Sequence, residues 1–548
     1  MNISLFRTGR YLVTGLAAIV VLYSIFYLSK SYKEILFWYG GNMEDFFRKD
    51  DWSSKMFSED VKKVGNILCI ALSVLLLLSL VYLWKIKSSI APVKIVWNYS
   101  FQDIFIVIIA FFFWGYYQAL TPYAYDEIFS AFHFASHSAW LSLSYYPLPN
   151  NHILYNVLNA FVGQLSGGHF LVSGRIISLM AYVVTALLTY RVSKHVLKVE
   201  WRALLSSVLV LSQFPVVGFA TQARGYSMLV MCTMLAIYAL WNKKGSSYYF
   251  WDVGIVAGMA VMPSFLYFWV GLGLSGLFLL NGDKISLYSF LKHNFISALV
   301  VLSFYLPVLS VSGYQSIVAN KYVTSTSTGL SDFLQSFLES HYVKGLFNEW
   351  FNTDSNVMIG VVLISIWIVA AFLIKDQNIR RWNILTVGTI LGAILIIMFT
   401  QKLPFYRNLA PISAALWIAI SLTFWAAILK ISHVKRNIIY AFSTCILIVF
   451  THYRLRQVLP DQLYYYDVKN TYERHQLCLT KYKVNQGAVT LHEDAFYWYG
   501  LLPKQILNHH KNQKMAPGLY IALVDTKVPI HYTLLWECEG YKCYKIPD

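Results

Sequence analysis

Charge is scarce in this sequence, and acid is the scarcer sign. Asp, Glu, Lys and Arg make up 13% of the 548 residues, with 27 acids against 44 bases, where an ordinary soluble domain carries about 25%. So little charge excludes a main body dissolved in water. Metal-binding thiol patterns are lacking too: the six cysteines include no CxxC pair and no His/Cys cluster, which removes the usual zinc frameworks. No internal repeat is visible, and many transporters are built from repeats.

What is present is apolar. Hydrophobic residues are 57% of the chain and aromatic residues 17%. Runs such as "YLVTGLAAIVVLYSIFYLS" (11–29) and "ILCIALSVLLLLSLVYLW" (67–84) match the ~18 residues that cross a hydrocarbon core. The pattern predicts a polytopic α-helical membrane protein with about 13 transmembrane helices. They fall near 10–29, 64–84, 103–120, 170–190, 203–220, 224–241, 250–263, 264–281, 295–311, 357–375, 383–400, 409–430 and 437–452.

The net charge of +17 forms no nucleic-acid patch. It sits in short segments between spans, such as Arg7 and Arg10, Lys85 and Lys87, Arg191 and Lys194, Lys243 and Lys244, and Arg380 and Arg381. These are alternate loops, as the positive-inside rule requires of the cytoplasmic face. The N-terminus is then cytoplasmic, residues 1–452 are the transmembrane domain, and residues 453–548 form a small extracytoplasmic α+β domain. The first span has no small-residue cleavage site and reads as an anchor.

Two further segments lie outside, 121–169 and 312–356, and both predict interfacial helices. In the second, Ser331 reads as an N-cap, and Phe333, Leu334, Phe337, Leu338, Tyr342, Leu346 and Trp350 recur at helical spacing, which predicts a helix on the membrane surface. In the C-terminal part "AVTLHEDAF", "LYIALVDT" and "YTLLWEC" read as strands and "YGLLPKQILNHHKN" as a helix. Cys69, Cys232 and Cys445 fall in apolar spans and read as packing residues. Cys538 and Cys543 flank a hairpin turn on the oxidising side, where a disulfide between them and two free thiols are both open.

The residues with chemistry lie at span ends on the outer face. Asp126 and Glu127, in "TPYAYDEIFSAF", have no nearby cation in the sequence, and carboxylates near a bilayer usually line a polar cavity. Isolated bases on this face run against the positive-inside rule, yet Arg175, Arg224, Lys402 and Arg407 all stand there. Such a set suits a phosphate, because guanidinium forks match its oxygens. Asn150, Asn151 and His152, in "PNNHIL", are candidates for holding a substrate oxygen or a metal.

In this order, the acidic pair, "PLPNNHILYNVLNA", "ARGYS" and the "KLPFYR" turn resemble the glycosyltransferase C superfamily, and more narrowly its protein O-mannosyltransferase and aminoarabinose-transferase group. The likeness runs from about residue 100 to 430. Two spans precede the one leading into the acidic loop, where the group commonly has one, and Asn150-Asn151-His152 stands where many relatives read His-Pro-Pro. The resemblance implies a glycosyltransferase in a bacterial inner membrane, working on the periplasmic side with a polyprenyl-phosphate sugar donor. Its acceptor is a hydroxyl of a protein, lipid or glycan. On that reading Asp126 is the base for inverting attack, Glu127 orients the acceptor or the base, and Arg175, Arg224, Lys402 and Arg407 clamp the phosphate. Some relatives bind a divalent cation, Mg or Mn, at the acidic loop. The alternative from another class is a transporter or flippase for a lipid-linked or anionic substrate.

Overall fold

The computed structural model describes residues 5–38, 58–85, 100–121, 123–146, 149–242, 248–318, 330–339, 341–351 and 357–428. Beyond these it describes only short pieces, at 438, 441–446, 448–449, 452–453, 478, 481–482, 489–491, 518–523, 532–538 and 541–546. Up to Ile428 the regular structure is helical, and every expected span from 10–29 to 409–430 falls on a helix. The expected span at 437–452 lies largely outside the described residues.

Among the described residues seven helices are long and apolar enough to cross a membrane, or eight if one bent pair is counted as a single span. Others that were expected to span, such as Tyr226–Asn242 and Tyr248–Val261 with 17 and 14 residues, fall short of the ~20 a helix needs to cross unaided. The bent pair is the expected span 203–220. Glu200–Leu211 and Phe214–Ala220 meet at 68°. Pro215 explains the break: it has no N–H for the Leu211 carbonyl, and its ring would clash there.

The helix Ala410–Ile428 runs through the middle, with Ala414, Leu416, Leu422 and Trp425 fully buried. The helices Glu59–Lys85 and Phe101–Leu120 lie outside, exposing Ile67, Leu78, Ile108 and Phe112. An apolar belt of this kind is stable only when lipid covers it. Helices Leu266–Leu280 and Gln377–Thr400 touch backbone to backbone: a Cβ on Gly392 would stand 2.4 Å from Gly271 Cα.

In the 312–356 segment the aromatic stripe falls on two helices where one was expected, Leu330–Glu339 and His341–Phe351. Much of the aromatic stripe assigned to the membrane surface instead packs on protein. Phe333, Tyr342, Leu346 and Trp350 are buried, Tyr342 Oη donates to the Pro404 carbonyl at 2.7 Å, and Trp417 Nε1 donates to the Trp350 carbonyl at 2.8 Å.

Near the C-terminus four strands form one sheet in the order β1-β2-β4-β3, with β1 at Val489–Leu491, β2 at Gly518–Leu523, β3 at Thr533–Cys538 and β4 at Tyr541–Ile546. β1 and β2 are parallel, and the other pairs are antiparallel. The helix expected over 499–512 lies outside the described residues. Cys538 is bonded to Cys478, not to Cys543, which is free and buried. Register explains the choice: Cys538 faces Tyr541 across the hairpin, while Cys543 faces Trp536 and Ile521. Cys69 and Cys232 are buried as packing residues, whereas Cys445 is exposed.

Candidate active site

The acidic pair opens the short helix Tyr125–Ser130, both acids in its first turn, where the positive end of the helix dipole favours them. Neighbouring side chains on a helix diverge by about 100°, so the two carboxylates face different surroundings.

Glu127 turns inward and is fully buried. Arg175, near the start of Phe170–Leu197, donates to it through Nε at 3.0 Å and Nη2 at 3.2 Å, and its Nη1 donates to the Thr121 carbonyl at 3.0 Å. The Ala223 and Ala124 N–H groups donate to the same carboxylate at 2.5 and 2.7 Å. Charges buried this deeply persist only when paired and fully hydrogen-bonded. Neither Glu127 nor Arg175 lines the cavity. The pair expected on the acceptor and the donor phosphate is therefore a clasp beneath the site, tying the 121–127 segment to the 223–224 turn.

Asp126 turns outward, into a cavity of about 490 Å³. Arg224, 3% exposed, forms an ion pair with its Oδ2, and Arg407 Nη2 lies 3.2 Å from the same oxygen. Burial alone would raise the Asp126 carboxyl, but Arg224 and then Arg407 outweigh it and hold it below the usual carboxylate range. Two consecutive acids thus grip two consecutive positions, Glu127 the backbone of Ala223 and Asp126 the side chain of Arg224.

The 221–225 turn is pinned from behind. Ser178 Oγ lies 2.6 Å from the Gln222 carbonyl and 3.0 Å from that of Arg224. Gly225 N–H donates to His152 Nδ1 at 2.7 Å, and a Cβ there would stand 2.9 Å from that ring nitrogen. Only glycine allows this approach. Burial, Arg224 and Arg407 hold the His152 imidazole well below its ordinary pKa, so the ring is neutral and supports the turn. Asn151 is buried as well: its Nδ2 donates to the Ser142 and Tyr145 carbonyls at 2.9 and 2.6 Å, and its Oδ1 accepts from Asn156 at 2.9 Å. Of these three candidates only Asn150 lines the cavity, together with Lys402, whose Nζ donates to the Val318 carbonyl.

Sequence reading missed Tyr226, although it stands in the quoted "ARGYS". Its ring lies 5.1 Å from the Arg224 guanidinium and 5.8 Å from that of Arg407, within cation–π range. Tyr146, Ser264 and Asn408 also line the cavity and carried no sequence signal. Much of the remaining lining is apolar, with Met262, Leu266, Ile317, Val318, Ile396 and Phe405.

The donors named for a divalent cation are otherwise engaged. Asp126 faces two guanidiniums, Glu127 is saturated, and His152 Nδ1 accepts from Gly225. Among the described residues no three His, Cys, Asp or Glu side chains converge. These residues do not fit a cation, and no step below runs through one.

No family profile matches the sequence, and no curated protein sequence matches it. Solved structures do. ArnT from Cupriavidus metallidurans, bound to undecaprenyl phosphate, matches 81% of this chain and 97% of its own at a TM-score of 0.50, with 8% identity. Its apo state matches over the same shares at 0.51. Arabinosyltransferase EmbB from Mycobacterium smegmatis matches 72% of this chain and 41% of its own at 0.40, with 10% identity. The chain thus has the polytopic helical fold of ArnT, as the sequence led one to expect of its fold.

Proposed function

We propose that this chain is an integral-membrane glycosyltransferase that takes a sugar from a polyprenyl-phosphate donor and passes it to an acceptor hydroxyl. One observation carries the reading: a carboxylate and two guanidiniums face a cavity whose lining is otherwise mostly apolar. A polyprenyl phosphate has that same division, an anionic head on a hydrocarbon chain. Arg224 is buried, and its Nε has no hydrogen-bond partner among the described residues, a donor left for an anion. The fold supports the class, since ArnT with the same architecture binds undecaprenyl phosphate.

Arg224 and Arg407 are the phosphate clamp, with Lys402 at the rim. The phosphate and Asp126 compete for these guanidiniums, so donor binding draws them from Asp126 and raises its basicity when a base is needed. The acceptor oxygen attacks the anomeric carbon, its proton passes to Asp126, and the bond to the phosphate oxygen breaks with inversion. The clamp takes up the charge left on the phosphate. Arg175 and Glu127 hold the clamp in register, and Asn150 contacts substrate. We place the site on the periplasmic face of a bacterial inner membrane, with residues 453–548 as an extracytoplasmic domain beside it. The transporter reading has no specific observation in its favour, because the charges gather at helix ends rather than along a path.

The test uses purified full chain in lipid nanodiscs with polyprenyl-phosphate sugars. Asp126→Asn should lower sugar release or transfer by about 10²-fold or more while the protein still unfolds cooperatively. Unchanged turnover would remove Asp126 as the base, and no binding of any polyprenyl phosphate by folded protein would remove the class.

A further inference from the structure

One acid with a buried carboxylate oxygen stands outside the lining of the cavity. Glu349 belongs to the helix His341–Phe351, which docks on the turn that carries Arg407. Tyr342 Oη donates to Pro404 at 2.7 Å, and a Cβ on Gly345 would stand 2.5 Å from the Tyr406 ring. Positions 342, 345 and 349 share one helix face, so Glu349 extends this contact by one turn. Its Oε1 is buried without a hydrogen-bond partner among the described residues.

Three groups act on it electrostatically: Arg407 from the docked turn, Tyr226 from its own helix, and Tyr342 from the same helix as Glu349. The neighbouring helices Phe214–Ala220, Val357–Leu373 and Ala410–Ile428 carry no titratable side chain, and Asp332 of Leu330–Glu339 is exposed. Burial pushes the Glu349 carboxyl up to about 8, and Arg407 pulls it only part of the way back. Arg407 is also the cation at 3.2 Å from Asp126. It thus pairs with a carboxylate in the cavity and acts electrostatically on a second one outside its lining.

We infer that Glu349 is a positioning residue that controls how Arg407 is shared: neutral, it leaves Arg407 to the cavity, and ionised, it draws Arg407 out of the cavity toward itself. This rests on the cavity being the lipid-phosphate site. A group titrating near 8 goes from about nine-tenths neutral at pH 7 to about one-tenth at pH 9, so binding that needs the neutral form falls roughly tenfold.

The experiment measures binding of a polyprenyl phosphate to the full chain in nanodiscs from pH 6.5 to 9, in the wild type, Glu349→Gln and Glu349→Asp. The expected result is affinity that falls about tenfold with rising pH in the wild type and the Asp variant. Glu349→Gln, fixed neutral, should bind like wild type at pH 7 and lack that fall. It also carries the lipid phosphate's own titration as the control. An equal fall in the Gln variant, or no fall in the wild type, overturns the role of Glu349 while leaving the lipid site standing. Absence of lipid binding at every pH, by protein that melts cooperatively, overturns both.

A ligand-free measurement guards against a variant that folds poorly. The folded-state pKa of Glu349 is raised, so its contribution to stability is fully present below the unfolded value near 4.5 and is lost as pH rises to about 8. Wild-type melting temperature should decline across that window relative to Glu349→Gln. Parallel profiles would show that Glu349 does not titrate there, and would overturn the proposal.

Discussion

Asp126 and Glu127 are neighbours in sequence and opposites in environment. Glu127 is locked by four donor contacts from Arg175, Ala124 and Ala223. Arg175→Ala would leave its charge buried and unpaired, which costs about 3–5 kcal/mol. We expect that variant to melt well below wild type in a detergent thermal-unfolding assay, with activity and fold lost together. Asp126→Asn behaves otherwise, because one face of Asp126 is open to the cavity: activity is lost, while the melting temperature falls less than in Arg175→Ala. The pH dependence has a definite sign. The folded-state pKa of Asp126 is lowered, so its ion pairs stabilise the fold above the ordinary carboxylate range and are lost as pH falls through the lowered value. Acid should therefore disable the wild type only below that range, and the Asn variant should lack this acid step in stability.

Elements bring these residues together from far apart in the chain. The clasp joins positions 124, 127, 175 and 223, the outer pair adds 407, and the Phe170–Leu197 helix braces the 221–225 turn through Ser178. The kink at Pro215 ends one helix early, and the next short helix, Phe214–Ala220, leads into the 221–225 turn. Leu266–Leu280 and Gln377–Thr400 contribute Leu266 and Ile396 to the apolar lining, and their contact admits no side chain at Gly392. Gly392→Val should separate them at a cost of about 1–3 kcal/mol and weaken lipid binding more than it changes turnover of bound donor, which a KM-against-kcat comparison would resolve.

On the scale of the molecule, the cavity sits where ends of several helices meet, and apolar side chains make up most of its wall. Ile396→Trp, filling that wall, should weaken binding of a long-chain polyprenyl phosphate by about tenfold and that of a short soluble phosphate hardly at all. The Cys478–Cys538 bond, spanning 60 residues, restricts the unfolded C-terminal segment and by loop entropy is worth about 4 kcal/mol. Peptide mapping without reductant should find this pair linked, and Cys543→Ser should leave the link intact.

Membrane class, the positions of the apolar helices and the helix-end location of the charged residues were legible in the chain, because burial in lipid imposes long apolar runs and isolates each charge that interrupts them. Asp126, Arg224 and Arg407 stood out for that reason. Partnership was not legible. Nothing in the string says that Glu127 takes Arg175 while Asp126 takes Arg224, since that depends on a 100° turn between adjacent side chains. Nor does spacing reveal that Cys538 reaches Cys478, or that Glu349 lies behind Arg407. Pairings across tens to hundreds of residues are fixed by packing, and packing decides which of two neighbouring acids is sealed in a clasp and which faces the cavity.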